Sequence, residues 1–424
     1  MKLNYRRTIF IGLPFLSICA FWQMYDNVIP LILKETFSLN ETITGVIMAT
    51  DNVLALFLLP LIGGLSDRTN TRLGKRTPYI IGGTLLAVFS MMLLPFADQR
   101  RLLPLFVLGL GITLFSMAMY RSPAVALMPD LTPKPLRSKA NAIINLLGAV
   151  GGVYTLIMIR ILVKNEAHPN YFPLFLSVIS LMLLAVVLLL ITTGEKKSAA
   201  AVDSEYPEER KKEKLQEKVP MPVEVKRSLR FLLASIFLWF TAYNAVTSAF
   251  SRYATEVWGA SGGKYADYLM VATVTAICSY IPIGILATKY GRKRTILSGI
   301  ILMFLAYFGG SFYGSYHWSI LIGFALMGFG WSAINVNSFP MVVEMSKGSD
   351  IGEFTGLYYT FSMAAQIMTP ILSGILLQYV SYRTLFPYAA CFMVLAFCTM
   401  TMVRHGDSRP APKKSRLEHF DVED

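Results

Sequence analysis

The chain is predicted to be an all-α membrane protein of twelve transmembrane helices, arranged as two pseudo-symmetric six-helix bundles, and three observations predict it. First, the stretch Gly63-Gly-Leu-Ser-Asp67-Arg68-Thr-Asn-Thr-Arg72-Leu-Gly74-Lys75-Arg76 returns later as Gly284-Ile-Leu-Ala-Thr288-Lys289-Tyr-Gly291-Arg292-Lys293-Arg294, each time between two long apolar runs. Second, hydrophobic residues make up 54% and charged residues 15% of the 424 residues, against roughly 25% charged in ordinary soluble domains. Third, apolar runs of about 20 residues, the length that crosses a bilayer, recur along the whole chain. They fall near 8–33, 42–66, 77–97, 102–128, 139–163, 171–193, 229–251, 265–288, 295–314, 318–343, 354–378 and 384–403. A glycine-rich basic hairpin at matching places in two repeated bundles suits a rocking transporter, whose close-packed helix ends must part and re-form at one face.

The first run follows Lys2, Arg6 and Arg7 and lacks a small-residue cleavage site, so it reads as a retained helix and not a signal peptide. Further basic residues cluster in alternate loops: Arg68, Arg72, Lys75 and Arg76 after run 2, Lys134, Arg137 and Lys139 after run 4, Lys289, Arg292, Lys293 and Arg294 after run 8. By the positive-inside rule both termini are cytoplasmic, and the expected location is the plasma membrane. This alternation, and not a basic stripe, accounts for the net charge of +13, so nucleic acid is not an expected partner.

Residues 1–193 form the expected N-terminal bundle, 194–228 a cytoplasmic linker, 229–403 the C-terminal bundle and 404–424 a cytoplasmic tail. The linker carries Glu208-Glu-Arg-Lys-Lys-Glu-Lys-Leu-Gln-Glu-Lys218. A helix lying on anionic headgroups and an unstructured tether are both open for it, and the tail is expected to be mobile. Cys19, Cys278, Cys391 and Cys398 sit inside apolar runs and read as packing residues. Asn40-Glu41-Thr42 is a glycosylation triplet of the kind that arises often by chance.

Ionisable groups well inside the apolar runs are few: Asp26 in run 1, Asp51 in run 2 and Arg121 in run 4. Each costs several kcal/mol unless paired or wet, which makes it a functional candidate. Counting about 1.5 Å per residue sets the two aspartates at similar depth, with Arg121 lower toward the cytoplasm. Two neighbouring carboxylates in low dielectric resist double ionisation, so one holds a proton or the two share a cation. The alternatives are a permanent Arg121–aspartate bridge, or an Asp26 that faces outer water. Asp26, Asp51 and Arg121 are the cation-coupling candidates, with a proton as the coupling ion and sodium the alternative.

Polar and aromatic residues recur at helical spacing on several runs: Trp22, Gln23 and Asn27; Asn141 and Asn145; Tyr243, Asn244, Thr247 and Ser248; Trp331, Asn335 and Ser338; Tyr359, Ser362 and Gln366. Amide forks and aromatic platforms suit a sugar, whose hydroxyls ring weakly apolar C–H faces. The same residues can equally serve as helix glue. The second half has no acid buried in its runs, since Glu344, Arg252 and Glu256 lie near run ends, so its share of a substrate site is neutral.

The paired hairpins resemble the motif of the major facilitator superfamily. The resemblance implies that Asp67, Arg68 and Arg76, with Asp130 and Arg292, form a cytoplasmic gate held by charge, whereas Thr288 replaces the acid in the second copy. Ser66 to Tyr79, Pro123-Ala-Val-Ala-Leu-Met-Pro129-Asp130-Leu131-Thr132 and the stretch from Arg137 through Asn141 to Asn145 look like the glycoside-pentoside-hexuronide cation symporters and the related sucrose–proton symporter branch. That resemblance implies a sugar substrate and helix 2 carboxylates at the cation. This chain has Asn52 beside Asp51 where those symporters have a second acid, which favours a proton. It is expected to work as a monomer in contact with membrane lipid.

Two other readings compete. A polyspecific proton-coupled exporter of amphipathic compounds uses the same fold, but run 5 has Gly148, Gly151 and Gly152 without the proline of the exporter signature. A non-transporting membrane receptor is the other. Enzymatic activity has no support, with no nucleophile elbow, phosphate loop, metal cluster or cofactor motif. His168, His317, His405 and His419 fall in loops or tail and read as solvated bystanders.

Overall fold

The computed structural model describes residues 4–132, 137–166, 168–195, 222–345 and 351–407, with the side chains of 137–139, 288 and 351–353 outside that description. Among the described residues twelve helices are long and apolar enough to cross a membrane. They are α1 Tyr5–Glu35, α2 Glu41–Arg68, α3 Thr77–Gln99, α4 Leu103–Leu131, α5 Arg137–Leu162, α6 Phe172–Thr192, α7 Val223–Trp258, α8 Tyr265–Tyr290, α9 Arg292–Gly310, α10 Ile320–Glu344, α11 Ile351–Tyr379 and α12 Leu385–Thr401. Lys2, Lys134, most of the expected linker, the tail beyond Asp407 and the side chains of Arg137, Lys139 and Thr288 lie outside the described residues.

Local chemistry starts and stops these helices. Asn4 and Asn40 place side-chain oxygens on the backbone N–H of Arg7 (3.1 Å) and Ile43 (2.8 Å), satisfying free donors of α1 and α2. Prolines in the first turn open α3, α4 and α6, where a missing N–H costs nothing. Helix α7 begins at Val223, ahead of the apolar run at 229, because its first turns are amphipathic. Ser228 and Leu229 turn inward there, while Glu224, Arg227 and Arg230 stay exposed.

The chain divides into two compact units, one made of Met1–Leu39, Thr50–Arg210 and Ser261–Ala266, the other of Asn40–Ala49, Lys211–Ala260 and Asp267–Asp424. The short exchanged pieces have clear local reasons. Glu41 is buried in the second unit against Arg252, and Gly263 donates its N–H to the Val163 carbonyl at 3.1 Å in the first.

In the first unit α1 packs on α4, α5 and α6, and α3 on α4 and α6. At the α1–α5 contact a side chain on Gly151 would put Cβ 2.0 Å from the Leu16 carbonyl oxygen, so only glycine permits this approach. Hydroxyls add interhelical bonds: Ser17 Oγ to Tyr120 Oη at 2.8 Å, Thr155 to the Ala20 carbonyl at 2.9 Å, Thr113 to Ser90 at 2.9 Å. In the second unit α7 packs on α11 and α12, and α9 on α10 and α12. Trp239, Phe250 and Tyr253 fill its centre, and Ser235 bonds Thr399 at 2.7 Å. Large apolar side chains remain exposed on the helix exteriors, Phe57 at 68% and Ile191 at 76% among them, as expected of helices whose solvent is lipid.

The expectations for His405 and the start of the tail need correction, whereas His168 and His317 are exposed as expected. His405 Nδ1 bonds Ser228 Oγ at 2.8 Å, and Asp407 caps α9, so residues 405–407 are docked on the second unit. His168 bonds Arg101 at 2.9 Å and His317 bonds Ser319 at 2.7 Å.

Candidate functional site

Three helices of the first unit bring the intramembrane charges together. Trp22 and Asp26 are four residues apart on α1 and share a face. Arg121 of α4 lies over the Trp22 ring, its guanidinium carbon 5.9 Å from the centroid. Asp51 of α2 accepts from Asn52 Nδ2 at 2.7 Å and is within Coulombic reach of both Asp26 and Arg121. Two carboxylates and one guanidinium carry a formal charge of −1, which one bound monovalent cation neutralises. Trp22 Nε1 is buried and has no hydrogen-bond partner among the described residues, leaving a donor beside the cluster.

The other candidates of this unit divide. Gln23 is half-buried on α1, with Oε1 toward Gly152 of α5, and Asn141 and Asn145 are half-buried on α5. Asn27 is 1% exposed, and its Nδ2 is taken by the Gln23 carbonyl at 2.9 Å. Its Oδ1 is buried with no hydrogen-bond partner among the described residues, an open acceptor on α1.

The second unit supplies an aromatic wall. The rings of Tyr243 on α7 and Trp331 on α10 stack at 3.7 Å with an interplanar angle of 3°, and Phe240 meets the Trp331 ring edge-on at 5.2 Å. Phe240 leads to Tyr358 (6.3 Å), and Tyr358 to Tyr359 of α11 (5.5 Å). Asn244 Nδ2 is buried without a partner among the described residues. Asn335 is buried at 4% exposure, and Gln366 is half-buried on α11. Phe240 and Tyr358 were not singled out in the sequence, although Phe240 is three residues from Tyr243 and Tyr358 adjoins Tyr359. A separate cavity of about 270 Å³ in this unit is lined mainly by apolar groups such as Leu305, Phe324 and Met327, with Tyr307, Tyr313 and Ser319 also on its wall.

The basic hairpins organise one end of each unit. Arg76, 5% exposed, donates from Nε to Asp130 of α4 at 2.9 Å and from its other nitrogens to Asp67 and Ser66 of α2. Lys75 Nζ stands 3.1 Å from the same Asp130 carboxylate. Arg68 is exposed at the end of α2 and has no ion pair or hydrogen bond among the described residues, so it stays outside this network. In the second unit Arg292 pairs with Glu344 at the end of α10. Gly74 and Gly291 turn the two hairpins with φ of +119° and +91°, which side-chain-bearing residues rarely adopt. Glu195, absent from the sequence candidates, bonds the backbone of Lys75, Arg76 and Thr77. The signal available for it was the recurrence of Gly194-Glu195 after α6 as Gly406-Asp407 after α12.

The second unit also holds a buried ion pair. Arg252 Nη1 lies 2.5 Å from Glu41 Oε2, their side chains 3% and 6% exposed, and the Tyr382 hydroxyl donates to the other Glu41 oxygen. Both residues lay near run ends in the sequence, and nothing there indicated that they meet.

Twelve membrane-length helices in two units, each with a basic hairpin of the same design, define a multi-pass membrane protein of the major facilitator fold. The model of the family described as MFS/sugar transport protein matches residues 10–404, and the chain belongs to that family. This bears out the resemblance read from the hairpins and the end of α4, and the family is one of transporters and not of enzymes. The chain is similar to the sucrose transport protein SUC4 of Arabidopsis thaliana, 34% identical over 113 residues, 23% of this chain and 22% of that protein. It is also similar to the MFS-type efflux transporter pyiT of Pyricularia grisea, 25% identical over 163 residues, 37% of this chain and 27% of that protein. The matched part thus spans only about a quarter of these relatives' lengths. Among solved structures the nucleoside transporter NupG superposes with a TM-score of 0.71 at 12% identity, over 94% of this chain and 100% of that one, a likeness of fold.

Proposed function

We propose that this chain is a secondary active transporter that imports a glycoside or disaccharide by proton symport with alternating access. The observation that carries the reading is the cluster of Asp26, Asp51 and Arg121 on three helices of one unit, with a formal charge of −1. One proton taken up there makes the cluster neutral, which lowers the cost of moving it within a low-dielectric protein. The neutral wall of Tyr243, Trp331 and Tyr359, with the open donor of Asn244, suits an uncharged, hydroxyl-rich ligand. Similarity to sucrose transport proteins supports the sugar class. A potential of 100 mV supplies about 2.3 kcal/mol per charge, so one proton per sugar supports useful accumulation. We place both termini on the cytoplasmic side on the distribution of Lys and Arg, and we propose a monomer in the plasma membrane.

The test is uptake of a panel of labelled glycosides and disaccharides by reconstituted protein, with and without an imposed pH gradient, sodium being varied separately. Uptake of none of them, or uptake indifferent to the gradient, removes sugar–proton symport. The second reading, proton-coupled export of amphipathic compounds, is favoured by the match to an efflux transporter. The glycines of α5, with no proline among them, count against it. Gradient-driven dye extrusion from the same vesicles decides between the two.

A further inference from the structure

The exit segments of the two units do the same job at the two hairpins. Glu195 stands just past the end of α6 at Thr192, and Asp407 just past the end of α12 at Thr401. Glu195 is 4% exposed and accepts from the backbone N–H of Lys75 (2.9 Å), Arg76 (3.0 Å) and Thr77 (2.9 Å) and from the Thr77 hydroxyl (2.7 Å). Asp407 accepts from the backbone N–H of Lys293 at 2.8 Å. Each acid thus reaches the opening turn of its unit's third helix, α3 or α9. The N–H groups there have no intrahelical partner and the helix dipole favours negative charge.

The correspondence extends residue by residue from the turning glycine. One position after it, Lys75 and Arg292 pair with the acids that end the unit's fourth helix, Asp130 and Glu344. Two positions after it, the N–H groups of Arg76 and Lys293 donate to the exit-segment acids. The glycine itself leaves room for the acid, since a Cβ on Gly74 would lie 2.2 Å from a Glu195 carboxylate oxygen and one on Gly291 3.0 Å from Asp407 Oδ1. The acid, the glycine and the fourth-helix acid recur together in two units of unlike sequence, which sets this arrangement apart from an incidental helix cap.

We propose that Glu195 and Asp407 are paired positioning residues, clasps that hold each basic hairpin on its own unit so that Arg76 and Arg292 keep their acids through the transport cycle. The proposal rests on the transporter reading for its consequence, but the clasp can be measured without transport. It also ties the root of the segment joining the two units, and the root of the C-terminal tail, to the hairpins. The first clasp gathers four donors on a buried carboxylate and the second uses an exposed one, so loss of the first is the more damaging.

Hydrogen–deuterium exchange on purified full-length Glu195→Gln and Asp407→Asn, alongside sugar uptake, tests this. Glu195→Gln is expected to speed exchange of amides 75–77 by about tenfold or more, with amides 291–295 as in the wild type. Asp407→Asn is expected to give a smaller rise at Lys293 and none at 75–77. Turnover should fall in Glu195→Gln while KM stays within about twofold, since the substrate contacts are untouched. Wild-type protection at 75–77 in Glu195→Gln, loosening of both hairpins alike, or faster exchange with wild-type turnover each overturns the clasp. If the wild type transports no sugar, the exchange result still stands for the clasp, and the failure belongs to the functional proposal.

Discussion

Replacing Asp51 by asparagine keeps the shape of the side chain and removes one charge from the cluster on α1, α2 and α4. The bond from Asn52 Nδ2, 2.7 Å in the wild type, can be kept by the amide oxygen. Arg121 keeps the face of Trp22, 5.9 Å from its guanidinium carbon. The formal charge of the cluster rises from −1 to zero, and the site no longer needs a cation to become neutral. For one proton per neutral sugar, a pH difference of one unit supplies about 1.4 kcal/mol, or tenfold accumulation. A potential of 100 mV adds about 2.3 kcal/mol, or roughly fiftyfold, so the ceiling is about 500-fold. Asp51→Asn in proteoliposomes is therefore expected to equilibrate sugar to a ratio near one under the same gradient, while exchanging labelled for unlabelled sugar across the membrane. Gradient-driven accumulation by the variant at the wild-type level refutes the charge argument. A variant that exchanges no sugar at all places Asp51 in substrate binding instead.

Trp331→Ala removes the stacked platform against Tyr243 and is expected to weaken sugar binding by about 1–1.5 kcal/mol, read as a roughly tenfold rise in Kd by titration calorimetry with little change in proton dependence. Asp130→Asn should impair uptake more than Asp67→Asn, because Asp130 holds both Arg76 and Lys75 and is 23% exposed, whereas Asp67 is 58% exposed and screened by water; initial rates of uptake rank the two. Glu41→Gln leaves Arg252 buried at 2% exposure without its counter-charge, a change expected to cost about 3–5 kcal/mol. It should appear as a clear drop in melting temperature, and the reciprocal exchange of the two side chains, with Glu at 252 and Arg at 41, should recover part of it.

The helices were legible because each must shield its backbone in about 20 apolar residues, and the repeat was legible because both hairpins keep turning glycines and basic residues. The start of α7 was not, since its first turns are half polar and an apolar-run criterion passes over them. Asp26, Asp51 and Arg121 stood out as charges in apolar surroundings, and the structure sets Asp51 within Coulombic reach of the other two. Asn27 stood out by its helical spacing with Gln23, and the structure buries it on α1 to 1% exposure. Glu195, Asp407 and the Glu41–Arg252 pair were hidden because they lie at helix ends or in polar segments, where an acid is unremarkable until its partner is known. Pairing between residues as distant as 41 and 252 is a property of the fold, which hydropathy does not carry.

The two units differ in how they settle their charge, and the difference bears on which of them drives the cycle. In the second unit the buried charges of Glu41 and Arg252 cancel, and the Tyr382 hydroxyl takes a remaining carboxylate oxygen, so the pair has no need of an outside ion. The cluster of Asp26, Asp51 and Arg121 in the first unit does not cancel, and an unbalanced charge within the span costs several kcal/mol until something neutralises it. The Tyr243–Trp331 stack and Asn244 of the second unit are neutral and respond to shape and hydrogen bonds. On the proposed function, an ion gradient acts at the first unit's cluster and an uncharged substrate is held by the second unit's neutral wall. A lysine or arginine introduced near Asp26 should mimic the bound cation, as Gln23→Lys would from one helical turn away, and is expected to make exchange independent of pH. Exchange that keeps its pH dependence in Gln23→Lys would show that the proton is taken up elsewhere.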